Sequence, residues 1–213
     1  MTPERISELL QPYIGLAVEP VEGAPVVAPD WLRIYAQLAA YLGLILKWNA
    51  RTNLTAIRSP EEIVRRHFGE SLFVGTRLGR CGTLLDFGSG AGFPGIPIQL
   101  MRPDVTVTLA ESQGKKVAFL REAIRTLELT AEVWAARVEA MPGERSFDVV
   151  TLRAVDDMEA AVRGAGVRAR ERVLILGTGA QSHWSGIAEG FCVMEPVSLP
   201  ESKDGVLWIA HRR

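Results

Sequence analysis

Hydrophobic positions recur with two different periods along this chain. Ile6, Leu9, Leu10 and Tyr13 follow helical spacing and predict a short amphipathic helix at the start. The prolines Pro12, Pro20, Pro25 and Pro29 then predict a loop. A long helix follows from Pro29 or Asp30, with Trp31, Ile34, Tyr35, Leu38, Leu42, Ile45 and Leu46 on its apolar stripe. Its aromatics share that face with leucines, so they read as core rather than as a platform for stacking bases. Residues 49–57 break the pattern, and 60–69 predict a further helix. Beyond residue 80, short apolar runs alternate with helical ones: strands over 81–87, 105–110, 131–136, 147–152 and 172–176, and helices over 95–101, 113–129 and 155–164. That alternation is the signature of a parallel sheet with crossover helices. A helix over 182–189 and two closing strands, 191–196 and 206–211, complete the chain, the last strand antiparallel. The division expected is a helical extension over 1–80 and an α/β domain over 81–213, packed as one compact unit.

Residues 83–99, TLLDFGSGAGFPGIPIQ, organise the rest. They read as a buried strand, a glycine-rich turn and the first turn of a helix, with Pro97 where no amide donor is needed. Gly88, Gly90 and Gly92 let the backbone take positive φ and let a ligand approach closer than a Cβ would permit. The spacing G-x-G-x-G, with Asp86 two residues ahead, departs from the G-x-G-x-x-G of dinucleotide sites, where the helix receives a pyrophosphate. A carboxylate there repels pyrophosphate but suits a cationic amino group. Glu111, at the end of the next strand, can grip a ribose diol. An amino-acid head, a ribose and an adenine describe S-adenosylmethionine better than a nicotinamide dinucleotide.

Charge and composition narrow the field. With 213 residues, 47% of them hydrophobic, the chain can bury a sizeable core. There is no apolar run of membrane-spanning length, and the N-terminal residues are not those of a signal peptide. Two cysteines, Cys81 and Cys192, fit a reduced, cytoplasmic protein, and neither sits in a metal-binding pattern, so no metal is expected. A net charge of −1 is low for a nucleic-acid enzyme. Any basic surface must be local, and Lys47, Arg51, Arg58, Arg65 and Arg66 concentrate in one stretch against Glu61 and Glu62. Near-neutrality points to weak affinity for naked RNA and to a structured ribonucleoprotein substrate. Lys115 and Lys116 fall in the first turn of a helix that Ser112 is expected to cap, where cations oppose the helix dipole. That placement suits a phosphate contact better than stability.

The run D-F-G-S-G-A-G-F-P-G-I-P, followed by E-S-Q-G-K-K-V-A-F-L, resembles the RsmG family, also called glucose-inhibited division protein B. Matches extend from Lys47 to Arg153. The resemblance implies a Rossmann-like class I methyltransferase sheet with an N-terminal helical extension, using S-adenosylmethionine to methylate N7 of a guanine in bacterial 16S ribosomal RNA. It implies a cofactor site of Asp86, Gly88, Gly90, Gly92, Phe93, Glu111, Val138, Glu139 and Arg153. It further implies RNA contacts from Asn53, Arg65, Arg66, His67, Lys115 and Lys116, with Arg153, Arg137 and Lys115 positioning the reactants. The expected partner is 16S ribosomal RNA in the small ribosomal subunit, with no membrane, and the expected state a monomer. For several residues a structural role stands beside the functional one: Asn53 can cap a turn, His67 can pack, Phe93 can pack, and Arg153 can pair with Glu139 or Asp156.

Two positions depart from the family pattern. Glu70-Ser71 replaces Asp-Ser, and Gly177-Thr178-Gly179 stands where the family carries L-K-G, so that lysine is absent. Guanine N7 has a free lone pair, so no general base is required. Neither cysteine is placed for a C5 nucleophile, and L-R-A-V replaces the Asn/Asp-Pro-Pro-aromatic corner of exocyclic-amine methylases. Two alternatives stay open on the same fold: a small-molecule methyltransferase, and a non-catalytic ribosome assembly factor.

Overall fold

The computed structural model describes residues 1–15, 28–179, 187 and 190–213. The helix expected over 182–189 and most of the proline loop lie outside the described residues. Helix α1 spans Pro3–Ile14 and begins at Thr2, whose side chain accepts from the Arg5 amide. Helix α2, Trp31–Asn49, is capped in the same way by Asp30. Its apolar stripe buries Tyr41 along with Ile34, Tyr35, Leu38, Leu42 and Ile45, while Trp31 is only partly covered and Leu46 turns outward at 38% exposure. The next helical run is longer than the sequence pattern predicts. Three-residue α3 (Pro60–Glu62) continues through a π-helix, Ile63–Gly69, into α4, Glu70–Thr76.

The sheet is built from β1 (Thr83–Phe87), β2 (Thr106–Ala110), β3 (Glu132–Trp134), β4 (Phe147–Arg153), β5 (Ala169–Thr178), β6 (Phe191–Val193), β7 (Val197–Ser198) and β8 (Gly205–Arg212). The strand order is β3-β2-β1-β4-β5-β8-β6, with β7 paired to β8. Strands β1 to β5 pair in parallel with one another, and β8 runs antiparallel to β5, β6 and β7. Between the parallel strands lie α5 (Gly95–Met101), α6 (Gly114–Thr126) and α7 (Met158–Arg168). Helix α6 starts later than predicted: Gln113 takes the capping position without a side-chain bond, so Ser112 is not the N-cap.

Side chains alternate across a strand, and the two faces separate cleanly. Leu84, Val107, Leu109, Val149 and Leu174 pack with α5, α6 and the helices of the extension in one cluster. Leu85, Phe87, Val150, Leu152, Val173 and Ile175 pack with α7 in another. Asp86, Thr151 and Arg153 share the parity of Leu84 and Val149, so they face the extension. Residues from Ile6 to Leu78 thus share one apolar cluster with the central strands.

Candidate active site

The chain leaves β1 through a turn in which Gly88, Gly90 and Gly92 have φ of +70°, +57° and +89°. These are conformations that side chains with a Cβ rarely adopt, which explains the glycines. At Gly88 space also matters: a Cβ there would meet Val155 Cγ2 at 3.3 Å and close the gap opposite the turn. The turn is held from beneath. Asp86 is wholly buried, its Oδ2 accepting from the Gly95 amide (3.1 Å) and its Oδ1 from the Thr151 hydroxyl (3.1 Å). Burial pushes its carboxyl up to about 6, despite those donors. The Tyr41 hydroxyl of α2 donates to the Ala91 carbonyl, so the extension also grips the turn.

Beside the turn lies a cleft of about 450 Å³ lined by Gly88, Glu111, Lys116, Arg137, Val138 and Glu139, with residues 154–157 as its far wall. Glu111 is buried at the end of β2. Its Oε2 accepts from the Gly90 amide at 3.0 Å and its Oε1 from the Gln113 amide at 2.7 Å. Arg137, Val138 and Glu139 enter at a short 3₁₀ turn, Val138–Ala140. That segment is pinned by buried Arg168, whose guanidinium donates to the carbonyls of Arg145 (2.9 Å), Met141 (2.7 Å) and Pro142. Sequence reasoning missed Arg168; a lone arginine near a helix end carries no signal until the loop it holds is seen.

The same wall, 154–157, borders a second, larger cleft of about 1190 Å³. At the junction Ala154 has φ +48°, a strained conformation for a residue with a Cβ, where the chain bends out of β4. Arg153, just before it, lines the second cleft with Arg66 and His67. Its Nη2 donates to Glu70 Oε2 and to the Arg66 carbonyl, both at 2.8 Å. The partner of Arg153 is thus Glu70, rather than Glu139 or Asp156. Burial raises the Glu70 carboxyl and lowers the Arg153 guanidinium, each partly countered by the other.

His67 stacks on Phe93, ring centroids 4.6 Å apart, and its Nε2 bonds the Thr55 hydroxyl at 2.7 Å. Burial, then the charges of Arg153 and Arg66, lower its imidazole to about 3, so it is neutral near pH 7. Two buried polar atoms here have no partner among the described residues: His67 Nδ1 and Arg153 Nη1. Such atoms are costly unless a ligand completes them.

The expected residues therefore separate. Gly88, Glu111, Val138, Glu139, Arg137 and Lys116 line the first cleft, and Arg66, His67 and Arg153 the second. Asp86 and Phe93 lie under the turn and line neither cleft; Phe93 is buried against His67, Tyr41 and Phe68. Lys115 lines a separate groove with Lys47 and Arg51. Arg65 pairs with Glu201, and exposed Asn53 accepts from Arg58. The residue that shapes the 49–57 loop is Asn49, whose Oδ1 accepts from the amides of Leu54 and Thr55. Where the family lysine is absent, Gly177 and Lys203 line the second cleft together. That cleft carries six carboxylates, Glu70, Asp156, Asp157, Glu159, Glu201 and Asp204, against the cations Arg66, Arg153 and Lys203.

A sequence profile of the GidB family, described as rRNA small subunit methyltransferase G, matches residues 34–182. A curated protein of that name from Xanthomonas euvesicatoria pv. vesicatoria is 45% identical over 132 residues, which is 62% of this chain and 62% of that protein. The namesake from Stenotrophomonas maltophilia is 41% identical over 193 residues, covering 87% of this chain and 86% of that protein. Among solved structures, a T. thermophilus 16S rRNA N2 methyltransferase in complex with AdoMet and guanosine aligns with TM-score 0.54 at 21% identity, over 68% of this chain and 42% of that one. Precorrin-6y C5,15-methyltransferase from Geobacter metallireducens aligns with TM-score 0.53 at 15% identity, over 68% of this chain and 87% of that one. At those identities the structural likeness speaks for the fold alone, which is that of the class I methyltransferases.

Proposed function

Since this chain belongs to the GidB family, we propose that it transfers a methyl group from S-adenosylmethionine to N7 of a guanine in 16S ribosomal RNA. The observation that carries the reading is the meeting of two clefts at one strained strand end, with Arg153 and Ala154 between them. The first cleft fits the cofactor's nucleoside. Glu111 stands at the strand end where it can accept from both ribose hydroxyls, and Val138 and Glu139 can receive the adenine. The glycine turn leaves room that a Cβ at Gly88 would remove. Asp86 acts through the turn it anchors, with no atom open to the cleft.

When bound, the cofactor supplies a methyl on a sulfonium, which the N7 lone pair can displace in line without a general base. The protein's part is positioning. Among the described residues Arg153 Nη1 and neutral His67 Nδ1 lack partners at the second cleft, and the polar edge of a splayed guanine would complete them. The sulfonium is cationic, so the carboxylate-rich second cleft does not oppose its approach. Residues 1–80 and 81–213 work as one unit in this reading, because the extension supplies His67 and Glu70 while the sheet supplies Arg153. A monomeric, cytoplasmic enzyme acting on the small ribosomal subunit accords with it, as do the free thiols of Cys81 and Cys192.

The test combines calorimetric binding of S-adenosylmethionine with transfer of labelled methyl to small subunits, naked 16S RNA and a small-molecule extract. We expect cofactor binding, at least tenfold weaker in Gly88→Ala, and labelling of subunits ahead of naked RNA. Labelling of the extract alone would make this a small-molecule methyltransferase. Binding without transfer would make it an assembly factor.

A further inference from the structure

The larger cleft has the wrong charge for an RNA backbone, which must therefore lie elsewhere. Six carboxylates line it, and although Glu70, Glu201 and Glu159 are paired with arginines, Asp156, Asp157 and Asp204 have no ion-pair partner among the described residues and would repel phosphates, though a single uncharged base can enter. Cations gather instead in a groove between the C-terminal turns of α2 and the first turn of α6. There Lys47, Arg51 and Lys115 surround a space of about 600 Å³ that half-buried Trp48 also lines. One carboxylate is present, Glu122, which accepts from Trp48 Nε1 at 3.1 Å and lies 3.9 Å from Lys47 Nζ. Among the described residues neither Arg51 nor Lys115 has an ion-pair partner. Lys115 sits where it opposes the helix dipole, so its place is not explained by stability.

We propose that this groove holds a nucleotide flanking the target in a single-stranded RNA segment, its base against Trp48 and its phosphates among Lys47, Arg51 and Lys115. An aromatic side chain rimmed by cations is the chemistry of single-strand grips. Position supports it. Lys116, the next residue of α6, lines the first cleft, so the groove and the cofactor site are separated by the width of one helix. From Arg51 and Thr52 in the groove, the chain continues through Thr55, Ala56 and Ile57 on the rim of the second cleft. A strand that lays its backbone on the groove can thus turn one base inward. The inference rests on the RNA-methyltransferase reading and adds to it where the backbone lies.

The test is fluorescence anisotropy of a fluorescein-labelled single-stranded RNA across a salt series, with wild type and the triple variant Lys47→Ala/Arg51→Ala/Lys115→Ala. Each lost phosphate contact removes about 0.7 from the slope of log affinity against log salt for a single strand. The triple variant should lose about 2 from the slope and bind at least tenfold more weakly at low salt, with S-adenosylmethionine affinity unchanged within about twofold. Because Trp48 packs edge-on against Phe119, Trp48→Phe is the variant that keeps the fold. RNA should quench the wild-type tryptophan emission more than that of Trp48→Phe. A triple variant with the wild-type slope and affinity, or quenching equal in the two proteins, overturns the groove. Methyl transfer by the wild type to small subunits, measured in parallel, separates that failure from failure of the enzyme reading.

Discussion

Buried Asp86 and half-buried His67 titrate in opposite senses, and the site's pH response follows from them. The Asp86 carboxyl is raised by burial from 3.8 to about 6, so the folded state holds a proton that the unfolded state releases. Stability from this group falls as pH rises from about 3.8 to about 6, by about 2–3 kcal/mol. The His67 imidazole is lowered by burial from 6.5 to about 3, so folding expels a proton, and its contribution is lost as pH falls below 6.5. Between about pH 4 and 6 the two oppose each other. Urea denaturation of Asp86→Asn should show stability climbing with pH more steeply than in the wild type, and His67→Phe the reverse. An Asp86→Asn profile parallel to that of the wild type would show that the buried carboxyl is not what titrates. At this scale the sequence was partly legible. The glycines and Glu111 were marked by spacing, since only a turn needing positive φ favours glycine so densely. That Asp86 points under the turn was not, because strand parity assigns a face only once β4 is known to lie beside β1.

At the scale of elements, the π-helix Ile63–Gly69 decides which way the basic stretch points. Its wider turn carries Arg66 and His67 to the second cleft and aims Arg65 at Glu201. Gly69 lets α1 approach, since a Cβ there would fall 2.6 Å from the Tyr13 ring. Gly69→Ala should therefore cost about 1–3 kcal/mol in chemical denaturation, as overpacked cores do. A neutral result would mean that α1 yields freely. The α and β periodicities placed nearly every element of the parallel sheet, because both faces are covered and their apolar runs are unbroken. The continuation of the third helix through Thr76 was not foreseen. All of α4 is buried, Glu70 included, and a helix buried all round loses the periodic signal.

At the scale of the molecule, a buried ion pair ties the extension to the sheet. Glu70 and Arg153 are both largely buried, 2.8 Å apart, and come from opposite sides of the boundary near residue 80. Removing one partner of such a pair leaves a charge stranded, at about 3–5 kcal/mol, whereas removing both costs less. Glu70→Ala should be more destabilised in urea than Glu70→Ala/Arg153→Met. If the double variant is the worse, the pair contributes packing rather than charge. The Glu-Ser departure from the family's Asp-Ser becomes understandable here, since the longer carboxylate reaches Arg153. A net charge of −1 hid the basic groove, because a sum over the chain cannot show that carboxylates crowd one cleft and cations another.

The most direct test of the central claim is nucleoside analysis of small-subunit RNA after incubation with the protein and labelled S-adenosylmethionine. The enzyme reading, in which the N7 lone pair needs no general base and Arg153 positions the guanine, predicts that the label appears as 7-methylguanosine and that Arg153→Ala abolishes it. Label on an exocyclic amine or on a carbon, or its persistence in Arg153→Ala, would contradict the account.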